Sequence, residues 1–358
     1  MCIDIGKMPI LVRTDSAEFA RLLRDRYGSF ATGMDPWAAP LSDGSALGDR
    51  QGGPGGQRRA QDARGVFKLE VELVPSGIMS DAEEVRVRRE GGRWVMERGD
   101  FRAEWDPERR RGWVRQSPNP YSIDSVLRIL HSLFLAREGG FLLHAASAIR
   151  NGRAYLFAGV SGAGKTTLCR LAPPDVVLLT DEISYVRPYR QGMGSRCQVS
   201  GVRYQVPGHS EQANASVEAG VANGEKEKGE RGSGTRHSPI QATSNPTPGG
   251  YSLTSDTWNL APAYEAFGTP FAGELACIGE NLRAPVAALY LLAQGEGNRF
   301  EAVSQAEAAR ALLQNILFFA QHEELVRQVF HSVLDFVGRV PVRRLVFAPD
   351  ARVWELIL

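Results

Sequence analysis

Ten residues, "GVSGAGKTTL" (159–168), place three glycines, a lysine and two threonines in one short stretch. They fit the spacing G-x-x-x-x-G-K-[ST], with Gly159, Gly164, Lys165 and Thr166 at the fixed positions. Such a set is suited to holding phosphate. Glycines let backbone N–H groups close on phosphate oxygens, the lysine reaches the terminal phosphates, and a threonine hydroxyl can ligate Mg2+. The cradle expected from this pattern runs over Gly159, Ser161, Gly162, Ala163, Gly164, Lys165, Thr166 and Thr167. Asp181 and Glu182 come next, 16 and 17 residues beyond Lys165, at the end of the apolar run "DVVLLT". Asp181 is the expected proton acceptor or metal partner and Glu182 the second; the plain alternative is an acidic loop or helix cap. His144, fifteen residues ahead of Gly159, completes the set, with a satisfied core histidine as its alternative.

The elements around these residues follow from periodicity. "FLLHAASAIRNGRAYLFAG" (141–159) holds two apolar runs joined by Asn151-Gly152, the favoured pair for a two-residue type I′ turn. Pairing outward from that turn sets residue 150 against 153 and brings His144 opposite Gly159. The loop therefore follows a strand and opens a helix, "KTTLCRL", as a phosphate cradle requires. "DVVLLTDE" (175–182) reads as a buried strand, and ligands of open α/β sheets sit at the carboxyl ends of strands. Adjacent strand residues point to opposite faces, so both acids can reach one phosphate only if the strand ends between them.

Upstream, residues 15–27 are expected as a short helix with Asp15 as N-cap and Gly28 as its stop. Residues 66–116 read as an antiparallel meander: "VFKLEVELV", "EVRVRRE", a Gly91-Gly92 hairpin, "RWVMER", "FRAEWD" and "GWVRQ". Its arginines fit either a solvated sheet face or a peptide-binding face. "SIDSVLRILHSLFLAREGG" (122–140) has helical spacing closed by glycines. Downstream, "VAALYLL" reads as a strand, "QAEAARALLQNILFFAQ" and "HEELVRQVFHSVLDFV" as amphipathic helices, and "RRLVFAP" and "VWELIL" as closing strands. His331 lies at helical spacing near Phe330 and Leu334 and reads as structural.

Composition narrows the classes. Lys plus Arg (42) nearly cancels Asp plus Glu (41) over 358 residues, which argues against nucleic acid or an anionic membrane as partner. No signal-type apolar stretch opens the chain, and the four scattered cysteines form no CxxC pair, so a cytoplasmic protein with reduced thiols is expected. Residues 31–65 carry eight glycines and three prolines, and 205–250 lack Phe, Trp and Tyr; both read as flexible. The expected organisation is a helical segment (1–30), a linker (31–65), the meander (66–120) and a larger domain (121–358) with an insertion at about 205–256.

A histidine on a strand, a hairpin, a "GxSGxGKT" loop and an acidic pair soon after together resemble the catalytic domain of HPr kinase/phosphorylase, which is similar in fold to phosphoenolpyruvate carboxykinase. "LLHAASAIRNGRAYLFAGVSGAGKTTL", "LLTDEISYVRP" and "TPFAGEL" (269–275) look like HPr-kinase-related proteins of bacterial peptide-tailoring clusters, among them kinases of lasso-peptide precursors. The resemblance covers about 121–358 apart from the insertion. It implies an α/β P-loop kinase domain of the HPr kinase C-terminal type behind a small antiparallel β-meander. It also implies ATP and Mg2+ as cofactors, with Lys165 central and Thr166 on the metal. Asp181 would take the hydroxyl proton, with His144 orienting it or touching the γ-phosphate. Thr269, Pro270, Phe271, Gly273 and Glu274 match the family's late motif, Glu274 as a second metal or substrate contact. Two departures mark the chain: Thr166-Thr167 stand where HPr kinase has Ser-Glu, and no "EIRG"-like stretch follows. The expected activity is transfer of the γ-phosphoryl group to a serine of a peptide or small protein, with homo-oligomers open. A small-metabolite kinase and a nucleotide-gated binding protein without transfer are the alternatives.

Overall fold

Strict alternation in "FRAEWD" decides which side of that strand enters a core: Phe101, Ala103 and Trp105 are buried and the residues between them are not. The computed structural model describes residues 1–33, 66–75, 83–189, 262–273, 275 and 279–357. Glu274, Cys197, Cys277 and the segments 34–65 and 205–256 therefore lie outside the described residues. By contacts the chain divides into two units, one of them Met1–Gly201 with Pro262–Leu358, and all described residues belong to it.

The structure is mixed α/β, with strands in the majority. The first sheet has eight strands: β1 (Cys2–Ile5), β2 (Met8–Thr14), β3 (Ala31–Thr32), β4 (Phe67–Leu73), β5 (Arg86–Glu90), β6 (Arg93–Arg98), β7 (Phe101–Asp106) and β8 (Arg111–Gln116). Their spatial order is β3-β1-β2-β4-β8-β7-β6-β5. Strands β5 to β8 form the expected antiparallel meander, with Gly91 and Gly92 at positive φ in the tight turn. Two expectations change. β4 is not part of the meander but runs parallel to both β2 and β8, and the opening residues are not only helical. Gly6 and Lys7, both at φ +63, turn β1 back onto β2, so the N-terminus enters the same sheet and Ala31-Thr32 closes its edge.

Helix α1 (Ala17–Tyr27) is capped by Ser16, whose hydroxyl accepts the N–H of Phe19, rather than by Asp15. Gly28 does not stop it through a left-handed residue; with φ −55 it continues into a 3-10 turn. Helix α2 (Pro120–Glu138) has Asn119 as N-cap, proline at its start and Gly139 at φ +80 as its stop. Both helices cover the inner face of the sheet. On the outer face, arginines pair across strands with Glu70, Glu72 and Glu104 at 2.9, 3.0 and 3.6 Å. That mutual neutralisation is what a solvated sheet face looks like.

The second sheet comprises β9 (Phe141–Arg150), β10 (Arg153–Ala158), β11 (Val177–Thr180), β12 (Ile183–Pro188), β13 (Tyr264–Phe267), β14 (Arg283–Gln294), β15 (Arg299–Ala302), β16 (Ile316–Leu317) and β17 (Val342–Phe347). Its pairings close a ring, β10-β9-β12-β13-β14 and back to β10. β10, β14 and β17 are parallel neighbours, so their carboxyl ends share one edge. One face, with Leu143, Ala145, Leu156, Ala158 and Leu289, packs on α4 (Gln305–Asn315) and α5 (Glu323–Arg339) through Leu312, Val333 and Phe336. The other face, with Tyr155, Phe157, Tyr290 and Phe347, packs on α3 (Lys165–Arg170) and a C-terminal 3-10 helix through Leu168 and Trp354.

That 3-10 helix, Ala351–Leu356, replaces the closing strand expected for "VWELIL". The Asp350 carboxylate caps it at the N–H of Arg352, and the Trp354 indole donates to the carbonyl of Leu168 at 3.1 Å. α4 is also shorter than expected: Ile316 and Leu317 leave the helix and pair with β9, where they pack against the core of the first sheet. His331 is exposed on α5. Among the described residues no helix is long and apolar enough to cross a membrane, and Cys2 and Cys169 are buried and outside any disulfide.

Candidate active site

The hairpin that carries the site forms as its sequence dictates. Asn151 and Gly152 take φ of 51° and 72°, and the register runs from Arg150 opposite Arg153 to Ala145 opposite Ala158. One step further sets His144 beside Gly159. On its other side His144 pairs with Ile183, the first residue of β12. The histidine thus stands in the middle strand, between the Gly-rich loop and the bend that carries the acidic pair.

Its surroundings explain its chemistry. Leu142 on the same strand face packs in the core under α2, whereas Ala146 and Ala148 pack on the α3 side. His144 falls in the gap between the two layers and is only half-buried. Burial, then the nearby charges of Lys165 and Arg128, push its pKa below the ordinary value, so the ring is neutral at pH 7.

The loop sits on the edge where the parallel strands end. Gly162 and Gly164 have φ of 79° and 103°, conformations that a side chain would strain. A Cβ at Gly164 would also stand 2.6 Å from the ring of Phe347 at the end of β17. Gln294, the last residue of β14, donates its amide N–H to the carbonyl of Gly162 at 2.6 Å. Lys165 folds back over the loop, with Nζ 2.7 Å from the Gly159 carbonyl. Ser161 and Gly162 are exposed, Ala163 is buried, and Lys165, Thr166 and Thr167 are half-buried in the first turn of α3. Gly164, the N-cap of α3, makes no side-chain cap hydrogen bond. These residues fit a phosphate chain: a cradle of left-handed glycines, a lysine bridging its mouth and a threonine hydroxyl behind it.

The strand does end at the acidic pair. β11 stops at Thr180 and β12 begins at Ile183, both antiparallel to β9, so Asp181 and Glu182 occupy a bend. The Thr180 hydroxyl fixes that bend by accepting the N–H groups of Glu182 and Ile183 at 3.2 and 3.1 Å. Asp181 is 5% exposed, and its two oxygens accept the N–H groups of Gly273 and Leu275, each at 2.9 Å. Thr269 adds a hydroxyl bond to the carbonyl of Ile183 at 2.8 Å. The late stretch "TPFAGEL", distant in sequence, is thereby stapled over the bend. A Cβ at Gly273 would lie 3.0 Å from an Asp181 oxygen, so this close approach needs glycine.

Glu182 is in a different state. Its carboxylate pairs with Arg128 of α2 at 3.4 Å, and burial outweighs that cation to raise its pKa above the usual carboxylate value. Arg128 lies 5.0 Å over the ring of Phe271 and buries its Nε without a partner. Sequence reasoning did not single out Arg128. Its signal was a charge at i+4 from Asp124 inside the otherwise apolar face of α2, where Asp124 is itself held by Arg26 and Tyr27. Gln294 and Phe347 carried no sequence signal, since only the parallel strand order brings them to the loop.

His144, the loop, the acidic pair and the described part of the late motif therefore converge on one sheet edge. Among the described residues no group of three or more His, Cys, Asp or Glu side chains is arranged to hold a metal by itself. A Mg2+ ion here would take part of its shell from phosphate oxygens, as such ions commonly do. Compared with known proteins, the chain matches no family model and no curated relative.

Proposed function

We propose that this protein is an ATP- and Mg2+-dependent serine kinase, similar to HPr kinase, that transfers the γ-phosphoryl group to a hydroxyl of a peptide or small protein. The observation that carries the reading is the convergence at one edge: a loop built for phosphate, a neutral histidine beside it and a fixed acidic bend across one strand. Phosphoryl transfer asks mainly for positioning and charge neutralisation, with one group to receive the hydroxyl proton.

In this reading the loop from Gly159 to Thr167 binds the phosphates through backbone N–H groups, and Lys165 exchanges its carbonyl contacts for the β- and γ-phosphates. Mg2+, held by Thr166 with an Asp181 oxygen, would neutralise charge on the phosphates. Asp181 retains lone pairs for that role, because a carboxylate can accept about four hydrogen bonds and the backbone takes two here. The same two N–H groups fix the orientation of its oxygens toward the loop edge. Asp181 receives the hydroxyl proton in this reading, and Glu182, whose pKa burial raises above the usual carboxylate value, is a second group able to receive it. His144 stays neutral, accepts or donates one hydrogen bond and orients the substrate.

The test is transfer of label from γ-labelled ATP to serine-containing candidate peptides, with Mg2+. Phosphoserine formation that needs Lys165 supports the reading. ATP binding with no transfer to any peptide would favour a nucleotide-gated binding protein, and labelling of small metabolites alone would favour a metabolite kinase.

A further inference from the structure

Six large apolar side chains are exposed among the described residues, and four of them (Leu313, Val326, Phe330 and Leu334) lie on α4 and α5. Val326, Phe330 and Leu334 recur every fourth residue and form one stripe on α5, about 12 Å long at ~1.5 Å per residue. The adjoining face of the helix is satisfied, since Leu325, Val329, Val333 and Phe336 are buried. Beside the apolar stripe runs a second exposed one, Glu323, Arg327, His331, Asp335 and Arg339. Its charges read minus, plus, neutral, minus, plus. Reversed in direction, this series meets itself with every sign opposed.

We propose that α5 is a self-association surface that pairs antiparallel with α5 of a second copy of this chain, about a two-fold axis at His331. In that register Glu323 faces Arg339 of the second copy, Arg327 faces Asp335 of the second copy, and symmetry repeats both pairs. A two-fold axis perpendicular to the helix pair keeps the apolar stripes on one side. Phe330, one residue from the axis, then packs beside Phe330 of the second copy with an offset of about 3 Å along the helix, and Val326 beside Leu334 of the second copy with the same offset. A parallel pairing would set like charges together, so the pattern selects against it. Within one copy Arg327 already bonds Glu323 at 2.7 Å and Arg339 bonds Asp335 at 3.2 Å. Asp335 also accepts the Tyr264 hydroxyl at 2.7 Å. Association would join these pairs into a network beside a desolvated apolar strip, where charge pairs contribute more than they do alone in water. The helix pair spans about 24 Å, shorter than a standard interface of ~800 Å² per partner needs, which is the size class of weak, reversible associations. The proposal does not depend on what the phosphate loop binds.

The test is sedimentation of the full chain over roughly 1 to 100 μM, a range suited to weak, reversible association. A concentration-dependent dimer is expected. Arg327→Glu and Asp335→Arg should each weaken it at least tenfold, as should Phe330→Ser. An equimolar mixture of Arg327→Glu and Asp335→Arg should regain a dimer, because each altered position then meets an opposite charge. Circular dichroism checks that the three variants remain folded, Asp335→Arg above all, since it also removes the acceptor of the buried Tyr264 hydroxyl. A chain monomeric throughout the range would overturn the proposal. So would a dimer indifferent to these substitutions, or a failure of the two charge variants to complement each other.

Discussion

Asp181→Asn exchanges one carboxylate oxygen for an NH2 group at nearly constant volume, and the geometry fixes the consequence. In the native site one oxygen takes the N–H of Gly273 and the other that of Leu275, both at 2.9 Å. After substitution one N–H keeps a neutral acceptor and the other faces a second donor. Hydrogen bonds to a charged group contribute ~1.5–3 kcal/mol, and a stranded buried donor costs ~1–3 kcal/mol. Weakening one bond and stranding the other donor sums to roughly 2–4 kcal/mol. In a chain of this size that lowers Tm by ~2 °C per kcal/mol, or ~4–8 °C in all. Thermal unfolding without nucleotide measures the total, and hydrogen exchange over 268–275 locates it, because the released amides should lose protection. A stability loss under ~1 kcal/mol with unchanged exchange would refute the staple between the acidic bend and the late motif. As neither measurement uses ATP, the result is separate from any catalytic role of Asp181.

Other outcomes follow from single contacts. His131 is fully buried with both ring nitrogens unpartnered, and burial holds its pKa at about 3. It is therefore neutral when folded and protonates in the unfolded chain, so its contribution is complete above about pH 6.5 and is lost progressively as pH falls toward 3. Replacing it by Phe should gain ~2 kcal/mol more at pH 5 than at pH 7.5 in urea unfolding; equal gains at both would contradict a neutral buried ring. Gly164→Ala combines a left-handed φ with a collision at Phe347, so ATP binding in calorimetry should fall at least tenfold, and native affinity would show that the loop tolerates a side chain there. Arg128 lowers the proton affinity of both His144 and Glu182, so Arg128→Gln should move the acid limb of the pH–rate profile to higher pH; an unmoved limb would remove Arg128 from the site.

The loop and hairpin were legible because their signals are local. Asn151-Gly152 encodes its own turn, and that turn alone determines the register that carries His144 to Gly159. The acidic bend was half legible: the apolar run announced a strand, but not that Thr180 would fold its hydroxyl back onto the next two N–H groups. What stayed hidden depends on distant pairing. Nothing near β4 states that it will lie parallel between β2 and β8, and the alternation of "FKLEVEL" suits a parallel or an antiparallel neighbour equally. In the same way, "TPFAGEL" offers two amides to Asp181 only once the ring of strands has closed. At the C-terminus, "VWELIL" has strand-like content, yet Asp350 caps a 3-10 turn there and the buried Trp354 fastens it to α3.

The most direct test of the central claim is equilibrium binding of ATP with Mg2+ to the native chain and to Lys165→Ala. Lys165 Nζ donates to the loop carbonyls of Gly159 and Val160, and thermal unfolding of Lys165→Ala checks that the fold survives its truncation. Native binding that weakens at least tenfold in Lys165→Ala, with the fold intact, is the expected result. Equal affinity of the two proteins, or no binding by the native chain, would contradict the phosphate-binding role of the loop.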